Sequence, residues 1–498
     1  MNVNPITRLD YPDPDVIRVE DTYYMVSTTM HFMPGCEILQ SFDLVHWEHV
    51  TYVYETLDHT DAQQLKSGQN IYGQGMWAAS LRYHEGRFYI CFVANDTRKT
   101  YLYTSEKIDG PWKKQLIEGF YHDGSLLFDE DGRNYIVYGN DEIWITELNE
   151  DLTAPKKDGL HRLLVSDHKN PKLGYEGSHI QKINGYYYIF LIHSLRDRWM
   201  RTEACFYSDS LEGEFTGGDV LCDDRGYCGQ GVAQGGIVDT PDGKWYAMLF
   251  QDSGAVGRIP ILLPVTWKDH FPFFGQNGHV PEEIEVHSTR PGYIYQPLVG
   301  SDDFCNGLLP RWQFNHDPDP RYYHLDALQG TYTITTREVC TELTQAVNTL
   351  TQRMSYPSCA AEVTVDASAL KEGDVAGLCA LQSCYAAVGI TKHHGKYEVL
   401  MLDKKEDGIL DMTEGTVVES HQMDFRLEAD FCNMKDEARC YYRVNKGDWL
   451  PIGTVHKLYF KLDHFTGCRF GLFCYAAEET GGSACFRDFK YYDVDEIS

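Results

Sequence analysis

The chain has 498 residues, with 44 basic and 74 acidic side chains and a formal net charge of −30. Such an acid excess argues against a nucleic-acid or anionic-membrane partner, since both need clustered Lys and Arg. No apolar run approaches the ~18 residues of a membrane-spanning helix, and the length allows two or more domains with separate cores. The opening Met-Asn-Val-Asn-Pro-Ile-Thr-Arg-Leu-Asp lacks the apolar region of a secretory signal. Fifteen cysteines, an odd count, lie mostly in apolar stretches such as Tyr89-Ile90-Cys91-Phe92-Val93, and no Cys-x-x-Cys pair occurs. They read as reduced thiols. The expectation is a cytoplasmic protein, or a secreted one whose signal has been removed.

Short runs rich in Tyr, Val and Ile follow one another along the first half, bounded by Gly, Asn or Asp, and 3.6-residue periodicity is scarce. A five-residue word recurs in them: a turn pair, two variable positions, then a Tyr leading into an apolar strand. It ends at Tyr24, Tyr89, Tyr135, Tyr188 and Tyr246, at intervals of 65, 46, 53 and 58 residues. In four copies the turn pair is Glu85-Gly86, Asp131-Gly132, Asn184-Gly185 or Asp242-Gly243, which suits a tight hairpin with positive φ. The spacing fits four-stranded blades with loop insertions. The prediction is all-β, with a five-bladed β-propeller over residues 1–298.

Twelve residues before the last four of these tyrosines stand Trp77, Asp123, Glu176 and Gln234, and eleven before Tyr24 stands Asp13. Small residues follow in the four copies with equal spacing. Each opening residue begins the first strand of a hairpin, so five innermost strands would bring them to one mouth of the central channel. Singly, Asp13 and Asp123 read as turn residues and Glu176-Gly177 as a bulge. Three carboxylates near one axis repel strongly, however, and such a group is kept for acid/base chemistry or for metal binding. Trp77 is either core or a sugar-stacking platform, and Gln234 reads first as a structural hydrogen-bonder.

These residues resemble glycoside hydrolase family 43. Asn4-Pro5-Ile6 with Tyr11-Pro12-Asp13-Pro14-Asp15 is similar to the family's opening signature, and Ser41-Phe42-Asp43-Leu44-Val45-His46-Trp47 to its Ser-x-Asp-Leu-x-x-Trp. Trp77-Ala78-Ala79, His122-Asp123-Gly124-Ser125 and Glu176-Gly177-Ser178-His179 resemble Trp-Ala-Pro, Phe-Asp-Pro-Ser and Glu-Gly-Pro-His. The resemblance implies inverting hydrolysis, with Asp13 as general base, Glu176 as general acid and Asp123 holding the acid's orientation and raised pKa. It implies Arg258 as a partner of sugar hydroxyls and Trp77 as a hydrophobic wall, with Gln234 and Phe32 beside them in the substrate-binding set. Phe32 lies in Met30-His31-Phe32-Met33-Pro34-Gly35, where methionines replace the Phe of many relatives in the subsite wall.

Gln234 stands where many relatives have a His that can face a central metal ion. No cofactor is required, and a calcium ion in the channel is left open. The implied activity is that of an exo-acting α-L-arabinofuranosidase or β-xylosidase on an oligosaccharide substrate; the alternative is a non-catalytic glycan-binding propeller.

After residue 300 the five-residue word stops. Runs such as Tyr332-Thr333-Ile334-Thr335 and Phe470-Gly471-Leu472-Phe473 still read as strands and suggest a two-sheet sandwich over 299–498. Leu350-Thr351-Gln352-Arg353 and Val388-Gly389-Ile390 are similar to the concanavalin-like, jelly-roll domain of the family's xylosidase branch. In relatives a loop of that domain helps to close the pocket.

Overall fold

The computed structural model describes residues 2–493. Five four-stranded antiparallel sheets come first, each built from strands in chain order, with only the short strand Phe32–Met33 passed over in the first. Their first strands are Asp15–Val19, Met76–His84, Ser125–Phe128, Glu176–Ile183 and Val232–Asp239, opening blades I to V. Each touches the first strand of the next blade, and that of blade V touches that of blade I, so the ring is closed with these strands innermost. Closure is reinforced from the N-terminus: Asn2–Val3 pairs with Glu283–Ile284. The Asn4 side-chain amide also exchanges two hydrogen bonds with the Leu262 backbone in blade V (2.7 and 3.0 Å).

Blade packing explains the apolar runs. In Tyr186–Ser194, alternate residues serve different neighbours: Tyr187, Ile189 and Leu191 pack with Val137 and Ile145 of blade III. Tyr188 and Phe190 pack with Ile237 and Leu249 of blade V. A strand covered on both faces needs continuous hydrophobicity rather than alternation, and each fully buried side chain contributes roughly 1.5–3 kcal/mol.

The hairpin turns divide into two kinds. Glu85-Gly86 and Asn184-Gly185 form the expected two-residue turns, with both residues at positive φ. Asp131-Gly132 and Asp242-Gly243 lie instead in five-residue loops, 129–133 and 240–244, with only the glycine at positive φ.

The channel is held by an ion pair. The Arg82 guanidinium donates to Asp15 Oδ2 (2.8 Å), to Ser125 Oγ (2.7 Å) and to the carbonyls of Leu126 and Ile180 (2.9 and 3.2 Å). Asp15 also accepts the Leu81 N–H (2.7 Å) and meets His179 Nδ1 at 3.1 Å. Burial opposes its ionisation, but Arg82 and His179 outweigh it and hold the carboxyl below its ordinary range.

The second half forms a seven-stranded and a nine-stranded sheet. Val363, Phe425, Leu427 and Phe486 of the first face Leu378, Val388, Phe470 and Leu472 of the second across a shared core. The nine-stranded sheet borrows Phe32–Met33 from blade I, which pairs with Gln313–Asn315. Division by sheet therefore differs from division along the chain. Segment 285–301 runs over blade I, where Tyr295 Oη accepts the Phe42 N–H (2.9 Å). The fifteen cysteines form no disulfide.

Between the two halves lies a knot of aromatic rings. His31 packs at a tilt against His316 and edge-to-face against His464, with centroids 4.8 and 5.1 Å apart, and Tyr72 touches both partners at 4.6 and 5.2 Å. Burial holds all three histidines neutral, with His464 lowered to about 3.

Two predictions follow from these buried groups. Arg82→Met leaves the Asp15 carboxylate without its cation and is expected to cost about 3–5 kcal/mol, read as a lowered urea midpoint. For His464 the folded pKa lies below the unfolded value, so unfolding takes up a proton as pH falls below ~6.5. The stability of His464→Gln relative to wild type should therefore rise by about 1.4 kcal/mol per pH unit from about pH 6 to 4. Paired urea titrations measure this, and a pH-independent difference contradicts it.

Candidate active site

The inner strands open into a cavity of about 830 Å³ at one mouth of the propeller. Asp13, Trp77, Asp123, Glu176, Gln234 and Arg258 all line it. Backbone geometry puts them there. Three inner strands carry a one-residue bulge, at Trp77-Ala78, Gly177-Ser178 and Gln234-Gly235. Asp13, Asp123, Gly177 and Gln234 adopt left-handed φ of 52°, 47°, 64° and 61°. Bulges and left-handed residues re-aim side chains at strand ends. Gly177 is required twice over, because a Cβ there would also lie 2.6 Å from the Gln234 side chain.

The expectation that the five opening residues are equivalent needs correction. Measured from the inner-strand partner of each marker Tyr, Asp13, Asp123 and Gln234 lie four residues back, whereas Trp77 and Glu176 lie five back. Equal counts from Tyr89, Tyr135, Tyr188 and Tyr246 arose because hairpins of two and five loop residues were counted as one kind. Glu176 is thus the last paired residue before its bulge, while Trp77 and Gln234 are in theirs.

Each carboxylate has its own environment. Asp13 accepts from Thr28 Oγ1 (2.5 Å) and from Arg258 Nη1 (2.8 Å). Glu176 Oε2 accepts from Asn140 Nδ2 (2.7 Å). Asp123 accepts the Gly177 N–H at 3.2 Å, and burial raises its carboxyl above the ordinary range, aided by Glu176 and Asp13 and opposed by His122. Arg258 is 2% exposed, and its Nε and Nη2 have no protein partner, so two donors remain for a ligand. Gln234 donates its N–H to Glu203 Oε2 (2.7 Å), a carboxyl that burial holds protonated.

Phe32 is not in this cavity. It is fully buried between the two halves, with the Arg469 guanidinium 3.5 Å above its ring. The reason is pairing: Phe32–Met33 is a strand of the sandwich sheet, so its side chain belongs to that interface, and Met30 lines the cavity instead.

Several residues that the sequence reading did not single out complete the site. His122 lies between Asp123 and Glu176; it belonged to a quoted motif, at the place of the family's Phe. From the sandwich, Lys457–Leu462 and Phe465 form the cavity's lid. The Phe465 ring lies 4.3 Å from the Arg258 guanidinium and 5.9 Å from Trp77. Asp10 ties lid to blade by accepting the N–H groups of Arg258 (2.7 Å) and Gly467 (2.8 Å). In the channel the Asp15 oxygens are already engaged by Arg82, His179 and Leu81, so Asp15 has none left for a calcium ion.

The sequence model described as "Glycosyl hydrolases family 43" matches residues 3–272, and "Beta xylosidase C-terminal Concanavalin A-like domain" matches residues 301–492. A Formosa agariphila protein named "Beta-xylosidase" is 26% identical over 99% of this chain and 89% of its own length. The "Non-reducing end alpha-L-arabinofuranosidase BoGH43B" of Bacteroides ovatus is 24% identical over 82% of this chain and 79% of its own. Among solved structures, a "Bifunctional GH43-CE" protein of Bacteroides eggerthii superposes with a TM-score of 0.93 at 42% identity. That match covers the whole of this chain but 64% of the other, so this chain spans less than two thirds of the bifunctional protein. With the catalytic-domain match covering more than half its length and the C-terminal match most of the remainder, the chain belongs to glycoside hydrolase family 43.

Proposed function

We propose that the protein is an inverting, exo-acting glycosidase that releases L-arabinofuranose, D-xylose or both from xylan- or arabinan-derived oligosaccharides. The observation that carries this reading is the differing environment of three carboxylates around one cavity. Asp13, held by Arg258 and Thr28, is the base that takes a proton from the attacking water. Glu176, steadied by a neutral amide, is the acid that protonates the leaving oxygen. Asp123 fixes the backbone beside Glu176 and, as an anion, disfavours loss of its proton. Inversion leaves room for water between base and sugar, with carboxyl groups ~6.5–9.5 Å apart.

Arg258 offers its two unpartnered donors to sugar hydroxyls, and Trp77 and Phe465 supply apolar walls. The lid covers the cavity from the sandwich side, which favours a chain end over the middle of a polymer. A volume of about 830 Å³ leaves room for more than one sugar ring. Names of relatives on both sides, β-xylosidase and α-L-arabinofuranosidase, support the two-sugar reading.

Replacement of each carboxylate separates the roles. Glu176→Ala should lower turnover of natural glycosides by about 10²–10⁴-fold, with a much smaller loss on 2,4-dinitrophenyl glycosides, whose leaving group needs little protonation. Asp13→Ala should be inactive on both, and near-normal turnover by either variant on natural glycosides refutes the assignment. Assays of p-nitrophenyl β-xyloside and α-L-arabinofuranoside side by side rank the sugars, and added chelator should leave both rates unchanged. Release of neither sugar would overturn the substrate assignment.

A further inference from the structure

His122 is the one titratable group between the acid and its neighbour that the steps above leave unused. Its Nε2 lies 3.5 Å from Glu176 Oε2 and 3.6 Å from Asp123 Oδ2, ion-pair distance to both. That nitrogen is buried and makes no hydrogen bond of good geometry. The ring stands edge-to-face on Trp77, with centroids 5.7 Å apart, and its own carbonyl accepts the Gly139 N–H (3.0 Å), so its place is fixed. A phenylalanine, which the resembling family motif has here, would cover Trp77 equally well. Packing therefore does not account for an imidazole.

Charge does. Arg258 is paired with Asp13, and Arg201 with Asp252 (both 2.8 Å). The other cations of the cavity are Lys172, Lys457 and Lys461. Among the described residues, none of these forms an ion pair with Asp123 or Glu176, and Lys461 is engaged by Glu406. Among the described residues, His122 is thus the single cation within ion-pair reach of both carboxyl groups.

We propose that His122 is a positioning residue for proton delivery: as an imidazolium between Asp123 and Glu176, it keeps Asp123 ionised and sets the pH at which Glu176 releases its proton. The proposal rests on Glu176 being the general acid. With one proton on Glu176 and one added to His122, the imidazolium balances Asp123 while Arg258 balances Asp13. The catalytic groups then carry no net charge before substrate enters. Burial works against the imidazolium, but the carboxylates around it, Asp123 foremost, outweigh it, and with Glu176 also ionised they raise His122 to about 9. Glu176 consequently faces one anion and one cation, where a phenylalanine at this place would leave it facing the anion alone.

The test is the pH dependence of kcat/KM for wild type, His122→Phe and His122→Gln on whichever p-nitrophenyl glycoside the wild type cleaves. An opposite charge at this distance lowers a carboxyl by about 1–3 units, so both variants should shift the alkaline limb upward by about that amount. The acid limb should move in the same direction. Folded variants with reduced rates but unmoved limbs overturn the proposal. A second measurement needs no variant to fold: NMR titration of wild-type His122 should show an imidazolium at pH 7.5, and a ring already neutral at pH 7 overturns it. If the wild type cleaves neither glycoside, the substrate assignment fails instead, while the NMR titration still decides the state of His122.

Discussion

The guanidinium of Arg82 meets the buried carboxylate of Asp15 inside a ring of five inner strands. Four blades contribute to this one polar cluster: Asp15 from blade I, Arg82 from II, Ser125 and Leu126 from III, and His179 and Ile180 from IV. A charged pair in such a place is costly to desolvate and tolerable only when its remaining hydrogen bonds are satisfied. Here they are, by Ser125 Oγ, two carbonyls and the Leu81 N–H. The cluster ties the inner strands of blades I to IV to one another near the axis, below their opening residues.

Above this clamp, bulges and left-handed residues convert a symmetric ring into an asymmetric site. Five similar strands supply an aspartate, a tryptophan, another aspartate, a glutamate and a glutamine, turned by left-handed residues, by bulges or by both. The residues that tune these groups come from elsewhere. Thr28 and Asn140 lie at or just beyond the far ends of second strands, Arg258 begins a third strand, and Phe465 belongs to the sandwich. Asp10 joins Arg258 to the lid, so the cavity-facing guanidinium and the wall above it are placed by one carboxylate.

The sandwich is more than an appendage. It takes Phe32–Met33 into its sheet, sends Arg353 to Glu37 (2.9 Å) and buries three neutral histidines against the propeller. The lid is thereby tied to the propeller through this interface. A cavity whose wall comes from two domains keeps its shape only as long as their interface does.

Apolar runs on both faces of a strand, a Tyr-marked word and ordered short motifs determined the fold class, the number of blades and the three carboxylates. These are local properties: strand propensity, turn chemistry and period survive in one dimension. Register across hairpins of unequal length does not, and so Glu176 was placed one residue out of line with Asp123. Phe32 lies in the segment expected to wall the sugar subsite, whereas strand pairing with residues 313–315 puts it at the interface. His122 was visible as a letter in a motif, but its meaning depends on two carboxylates within 3.6 Å, one of them 54 residues away along the chain. Sequence alone determined which groups could do acid/base work. Only the tertiary structure decided which charges face each of them, because electrostatic environment is set by distance in space.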